Sequence, residues 1–145
     1  MTHQRLHPAG WRETRGYSNG IAATGRMVFT GGMIGWNAQQ QFETDDFVGQ
    51  VEMALKAVVA VLAEAGAGPE HLVRLTWYVT SKQEYLDNLK ALGAVYATVI
   101  GRHYPAMALV QVVALVEDRA KVEIEATAVI PDREVYNTSV VLEKT

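Results

Sequence analysis

The chain has no cysteine among its 145 residues, which excludes disulfide frameworks, thiolate zinc sites, thiol nucleophiles and redox pairs together. Histidine is nearly as scarce. The four present, His3, His7, His71 and His103, have no spacing that sets two ligands on one helix face or strand edge, so no metal is expected. Serine occurs only at positions 18, 81 and 139, never inside a GxSxG elbow, and serine hydrolysis is excluded with it. Gly31, Gly32 and Gly35 match neither GxGxxG nor a P-loop, so no nucleotide cofactor is expected. Long apolar runs are missing too. The first eight residues hold no apolar signal core and later apolar stretches are too short for a bilayer, so the expectation is a cytoplasmic protein with no membrane partner.

Charge of one sign is likewise absent. Thirteen Lys+Arg against sixteen Asp+Glu give a net charge of -3, and no basic cluster could neutralise a run of phosphates, so nucleic acid is not expected as a partner. What the chain does have is a 49% apolar and 20% charged composition, that of one ordinary domain spanning residues 1–145. A chain of this length buries roughly two thirds of its unfolded surface and needs no staple.

Hydropathy patterning divides the chain into elements. Two β runs flank Thr24-Gly25-Arg26, which suits a hairpin, and a polar loop follows Gly31-Gly32. From Asp45, apolar residues recur at three and four through Phe47, Val51, Leu55, Val58 and Leu62, giving a helix that Gly66 and Pro69 end. Val73 to Thr80 alternates as a strand. Ser81-Lys82-Gln83-Glu84 has capping-box form and opens a second helix running to Gly101. Met107 to Val116 and Lys121 to Ile130 are two further strands, and an extended surface tail is expected from Pro131. The order ββαβαββ places two helices on one face of a mixed sheet by the right-handed crossover rule. The run from Met107 to Val116 is apolar at both parities, yet no helix remains for the second face, so another copy of the chain is expected there.

Few residues stand out as chemistry. His103 lies in the loop before Met107, a placement that suits a functional group on a rigid scaffold, while His71 reads as a solvated turn residue. Glu123 and Glu125 share one face of the last strand, where paired carboxylates supply an acid or base, or simply face water on an edge strand. The glycines after Thr30 would let backbone amides approach a ligand.

Taken in order, Gly16-Tyr17-Ser18, Met27-Val28-Phe29-Thr30-Gly31-Gly32, Gln50 with Leu55 ahead of Ala65-Gly66, Tyr104-Pro105-Ala106 and Val122-Glu123-Ile124-Glu125-Ala126 resemble the Rid family of YjgF type, once labelled L-PSP endoribonuclease. The resemblance covers residues 16–131. It implies a chorismate-mutase-like α+β fold and a homotrimer with small-molecule clefts between subunits, which hydrolyse enamines and imines without metal or cofactor. It further implies Glu123 as the catalytic carboxylate that positions water, with Tyr17, Gly31, Gly32 and position 107 on the pocket wall and His103 at the rim. The family's arginine after Pro-Ala is Met107 here, and its usual glutamine after the glycine pair is Met33. The resemblance therefore implies a divergent deaminase with a more apolar cleft, suited to an aminomuconate-like metabolite, with His103 or Arg102 standing in for the arginine. The alternative is a non-catalytic binding or regulatory trimer.

Overall fold

The computed structural model describes residues 2–132. Seven strands and three helices follow one another as β1 (Gln4–Leu6), β2 (Gly20–Ala22), β3 (Gly25–Phe29), β4 (Met33–Ile34), α1 (Phe47–Glu64), β5 (Leu72–Val79), α2 (Lys82–Asp87), α3 (Leu89–Val99), β6 (Ala106–Gln111) and β7 (Val122–Pro131). Apart from Pro131 and Asp132, the expected C-terminal tail lies outside the described residues. The main sheet runs β3-β7-β5-β6, with β4 also paired to β7. Only β5 and β6 are parallel, as a strand-helix-strand crossover requires.

The expected hairpin between the two early strands does not form. β2 pairs instead with β1 in a separate ribbon, and β3 runs antiparallel to β7. Gly25 decides this. Its φ is 149°, and a Cβ there would lie 2.0 Å from the Ile130 carbonyl oxygen, so the glycine serves close approach to β7 rather than a turn.

β7 consequently sits at the centre of the sheet, not at an edge. Its even residues Val122, Ile124, Ala126 and Ala128 are 0–3% exposed and meet Leu75, Trp77 and Val79 of β5 beneath α1, which contributes Val51, Leu55, Val58 and Leu62. The alternation expected for β5 holds from Arg74 to Val79, but a bulge between Leu72 and Arg74 puts Leu72 in the core and leaves Val73, expected on the core face, half-buried. Asp46 caps α1 by accepting from the Gly49 amide at 2.8 Å, and Gly66 takes the left-handed conformation at its end. Asp45 is not part of the helix. It pairs with Arg119, whose hydrogen bond and charge hold the carboxyl below the usual aspartate range.

The second helix begins where Ser81 predicts, with the serine oxygen accepting from the Glu84 amide. It breaks at Asn88. The side-chain amide there donates to the Glu84 carbonyl at 2.7 Å and takes the place of a helical backbone donor, so α2 and α3 are separate. The expected strand 107–116 is also shorter. β6 ends at Gln111, whose side chain accepts from the Lys82 amide, and Val113 and Val116 beyond it are fully exposed. Gln50 of α1 joins helix to sheet. Fully buried, it donates to the Thr44 and Arg119 carbonyls and accepts from the Lys121 amide.

Candidate functional site

Antiparallel register carries Glu123, Glu125 and Thr127 of β7 to the sheet face away from the helices, opposite Tyr78, Thr76 and Arg74 of β5. Their environments differ. Tyr78 donates to Glu125 at 2.8 Å; that hydrogen bond, then burial and the charges of Glu125 and Glu123, pushes the phenol above its ordinary range. Glu123 is half-buried, and its carboxylate has no hydrogen bond or ion pair among the described residues. A Cβ on Gly32 would come within 2.7 Å of the Glu123 carboxyl carbon, so this glycine lets the carboxylate lie against the β3–β4 connection. Gly31 is exposed beside it, with only Met33 near. The result is a carboxylate seated against a backbone connection without a side-chain partner among the described residues.

Met107 faces the other way. Its parallel register partner is Leu75, which points into the core, and Met107 packs against that core at the side of α2 and α3. Together with Trp77, Tyr85, Leu89, Gly93 and Tyr104 it lines an apolar groove of about 230 Å³. Trp77 meets Tyr85 edge-on at 6.5 Å, and its indole N–H is buried with no partner among the described residues. Gly93 leaves open space, since a Cβ there would meet nothing within 4 Å.

Tyr17 and His103 share a third place. They line a cleft of about 690 Å³ between the N-terminal segment and the loop preceding β6. Buried Ser18 fixes this wall, its amide donating to the Pro105 carbonyl and its hydroxyl to that of Tyr104. Tyr96 adds a hydrogen bond from its hydroxyl to the His103 carbonyl and stacks on Tyr104 at 5.6 Å. Burial, with Tyr104 as a lesser cause, pushes the Tyr96 phenol far up. With its backbone pinned, the loop leaves the Arg102 and His103 side chains exposed. Gly16 and Tyr104 line both cleft and groove, so the two adjoin.

One chain thus unites Tyr17 with His103 and Gly32 with Glu123, but it sets Met107 and Glu123 on opposite faces of the sheet. His71 is not a solvated turn residue. It is 4% exposed and accepts from the Gly68 amide through Nδ1, because a 3-10 turn at Pro69–His71 folds the ring inward. Arg5 and Arg15, which reach the cleft with Tyr17, carry no signal in the sequence, since the β1–β2 pairing brings them there. Among the described residues no three acidic, His or Cys side chains are grouped to hold a metal.

These elements define a known architecture. The chain belongs to the Rid (YjgF) family, and its residues 10–130 match the family described as Endoribonuclease L-PSP. It is 35% identical to protein DfrA of Myxococcus xanthus over 115 residues, which span 78% of this chain and 84% of that protein. It is 32% identical to the reactive intermediate deaminase TdcF of Escherichia coli K12 over 108 residues, covering 72% of this chain and 80% of TdcF. Among solved structures, the Rid protein YyfB of Yersinia pestis superposes with a TM-score of 0.78 at 29% identity, covering 90% of this chain and all of that one. E. coli TdcF with bound serine gives 0.62 at 30% identity over 81% and 91% of the two chains. The α+β fold with helices packed on a mixed sheet is the chorismate-mutase-like fold of these neighbours.

Proposed function

We propose that the protein is a cofactor-independent hydrolase of C–N bonds that deaminates a small reactive enamine or imine in clefts completed between the subunits of a cytoplasmic homotrimer. Family membership supports reactive-intermediate chemistry, and the relative TdcF bears the name of such a deaminase. The observation that carries the reading is the unpaired Glu123 carboxylate seated on Gly32. It shares its sheet face with Met27, Phe29 and Val110, which are 60%, 64% and 45% exposed. Exposed apolar groups of this size favour a covering partner, and a second copy laid there brings Glu123 against the Tyr17 and Met107 walls of its neighbour.

In such a cleft the enamine first tautomerises to an imine. Glu123 accepts a proton from water as the water oxygen attacks the imine carbon, and that proton passes to the nitrogen. The resulting carbinolamine then passes its hydroxyl proton to the nitrogen, by way of Glu123, as the C–N bond breaks, so that ammonia leaves and an oxo product remains. Met107 offers an apolar wall where the resemblance implies an arginine, which favours an unsaturated body of the aminomuconate kind over a small amino-acid-derived imine. Ammonia release from enamines generated in solution tests the reading. Glu123→Gln, which keeps shape and removes the base, is expected to lower turnover by about 10²–10⁴-fold, and light scattering is expected to return three times the 15.9 kDa chain mass. A trimer that binds such ligands but releases no ammonia would establish the binding module instead.

A further inference from the structure

The apolar groove beside α2 and α3 contains a buried polar atom whose bonding the fold leaves open. Trp77 is 4% exposed, and its indole N–H is the sole buried side-chain donor or acceptor without a partner among the described residues. An indole nitrogen donates and does not accept, so only an acceptor satisfies it. Native interiors almost always pair such donors, because an unmet one keeps the full cost of leaving water. Its neighbours on the same face of β5, Leu75 and Val79, are hydrocarbon, and Tyr85 meets the indole with its ring. The groove also differs in chemistry from the cleft it adjoins. None of its described lining residues is charged, whereas three arginines and Glu70 line the cleft. A charged ligand would lose its water in the groove without gaining a counter-ion. Leu89 of α3, Met107 of β6 and the rings of Tyr85 and Tyr104 instead favour a flat apolar body. A cavity of about 150 Å³ holds a benzene ring, so the groove's 230 Å³ or so admits one ring with a short substituent.

We propose that the groove binds a small, neutral, planar ring compound through a carbonyl oxygen that accepts from the Trp77 indole N–H. The ring lies among Tyr85, Leu89, Met107 and Tyr104, and the open space at Gly93 takes the substituent. Trp77, Tyr85, Leu89 and Gly93 have no part in the proposed deamination, and the ligand needs neither a nitrogen nor a carboxylate. The inference therefore holds whether or not the protein is a deaminase.

The probes are acetophenone, α-methylstyrene and benzoate. The first two share one shape and differ in carrying an oxygen or a methylene group on the same carbon, while benzoate adds a negative charge. Calorimetry is expected to show acetophenone binding roughly tenfold more tightly than either of the others, in line with one hydrogen bond to an otherwise unmet donor. In isotope-labelled protein the Trp77 indole N–H resonance, identified by elimination with Trp11→Phe and Trp36→Phe, is expected to move downfield with acetophenone and not with α-methylstyrene. Trp77→Phe is expected to bind these two about equally. Gly93→Leu puts a branched side chain into the open space and is expected to weaken both by roughly tenfold or more, while Lys56→Gln, exposed on α1, changes neither. Melting temperatures check that each variant is folded; if Trp77→Phe is not, the wild-type resonance and Gly93→Leu decide. No measurable acetophenone binding, equal affinity for acetophenone and α-methylstyrene, an unmoved Trp77 resonance at saturation, or undiminished binding by folded Gly93→Leu would overturn the proposal. Benzoate binding as tightly as acetophenone would overturn the neutral character given to the ligand. The probes contain no nitrogen, so a protein that deaminates enamines and ignores acetophenone loses this inference alone, and one that binds acetophenone and releases no ammonia loses only the deaminase reading.

Discussion

Gln50 ties α1 to the segment that enters β7. Its amide donates to the Thr44 carbonyl at 3.2 Å and the Arg119 carbonyl at 3.0 Å, and its oxygen accepts from the Lys121 amide at 2.8 Å, all with the side chain 0% exposed. Gln50→Leu keeps the volume and removes all three bonds. The Lys121 amide, left without its acceptor two residues before Glu123, costs about 1–3 kcal/mol as a buried unsatisfied donor. The two carbonyls belong to partly exposed residues and recover water, adding about 0.5 kcal/mol each, while the leucine gains some apolar burial. These costs sum to about 2–4 kcal/mol and the leucine gain offsets about 1, so the expected net loss is about 1–3 kcal/mol, or a fall in Tm of about 3–12 °C for a chain of this size. Gln50→Glu is expected to be worse at pH 8, because a carboxylate faces two carbonyl oxygens. A glutamate pKa raised in the folded state makes stability fall as pH rises above about 4.3, so this variant regains stability as the solution is acidified. Urea unfolding at fixed protein concentration, at pH 5 and pH 8, measures both. A Gln50→Leu protein within 0.5 kcal/mol of wild type, or a Gln50→Glu protein indifferent to pH, would show that the three bonds do not hold helix to strand.

Two further outcomes are expected. Met107→Arg, in a groove with open space beside Gly93, is expected to create or raise ammonia release from carboxylate-bearing imines by about tenfold to a thousandfold, because the guanidinium supplies a carboxylate partner; no gain in a folded variant, checked by circular dichroism, would show that position 107 does not face the substrate. Tyr96→Phe removes the donor to the His103 carbonyl and is expected to cost about 1–2 kcal/mol at pH 7. Burial raises the folded pKa of this phenol above the unfolded value of about 10, so the folded state keeps a proton that the unfolded state loses, and wild-type stability falls as pH rises through that value. The phenylalanine variant lacks this component, so its stability between pH 10 and 11 is expected to fall less steeply by up to about 1.4 kcal/mol per pH unit, read from urea midpoints.

Local pattern alone determined the elements whose partners lie on the same segment or whose signal repeats. The spacing from Phe47 to Leu62 produced α1, the alternation from Val73 to Thr80 produced β5, and Ser81 marked its helix start because a cap needs only residues three apart. The ordered motifs from Gly16 to Ala126 were enough to place the chain in its family. Tertiary structure decided what depends on contacts distant in sequence. The Gly25 φ value and the approach of Ile130 turned an expected hairpin into a β3–β7 pair, which moved Glu123 and Glu125 from a supposed edge to the centre of the sheet. A short 3-10 turn buried His71, and the Asn88 side chain divided a continuous apolar stripe into two helices. Strand register set Met107 and Glu123 on opposite faces, and the β1–β2 ribbon carried Arg5 and Arg15 to the loop holding Arg102. A period read along the chain says which face a residue shares with its near neighbours, whereas the partner that face meets is set by packing across the whole fold.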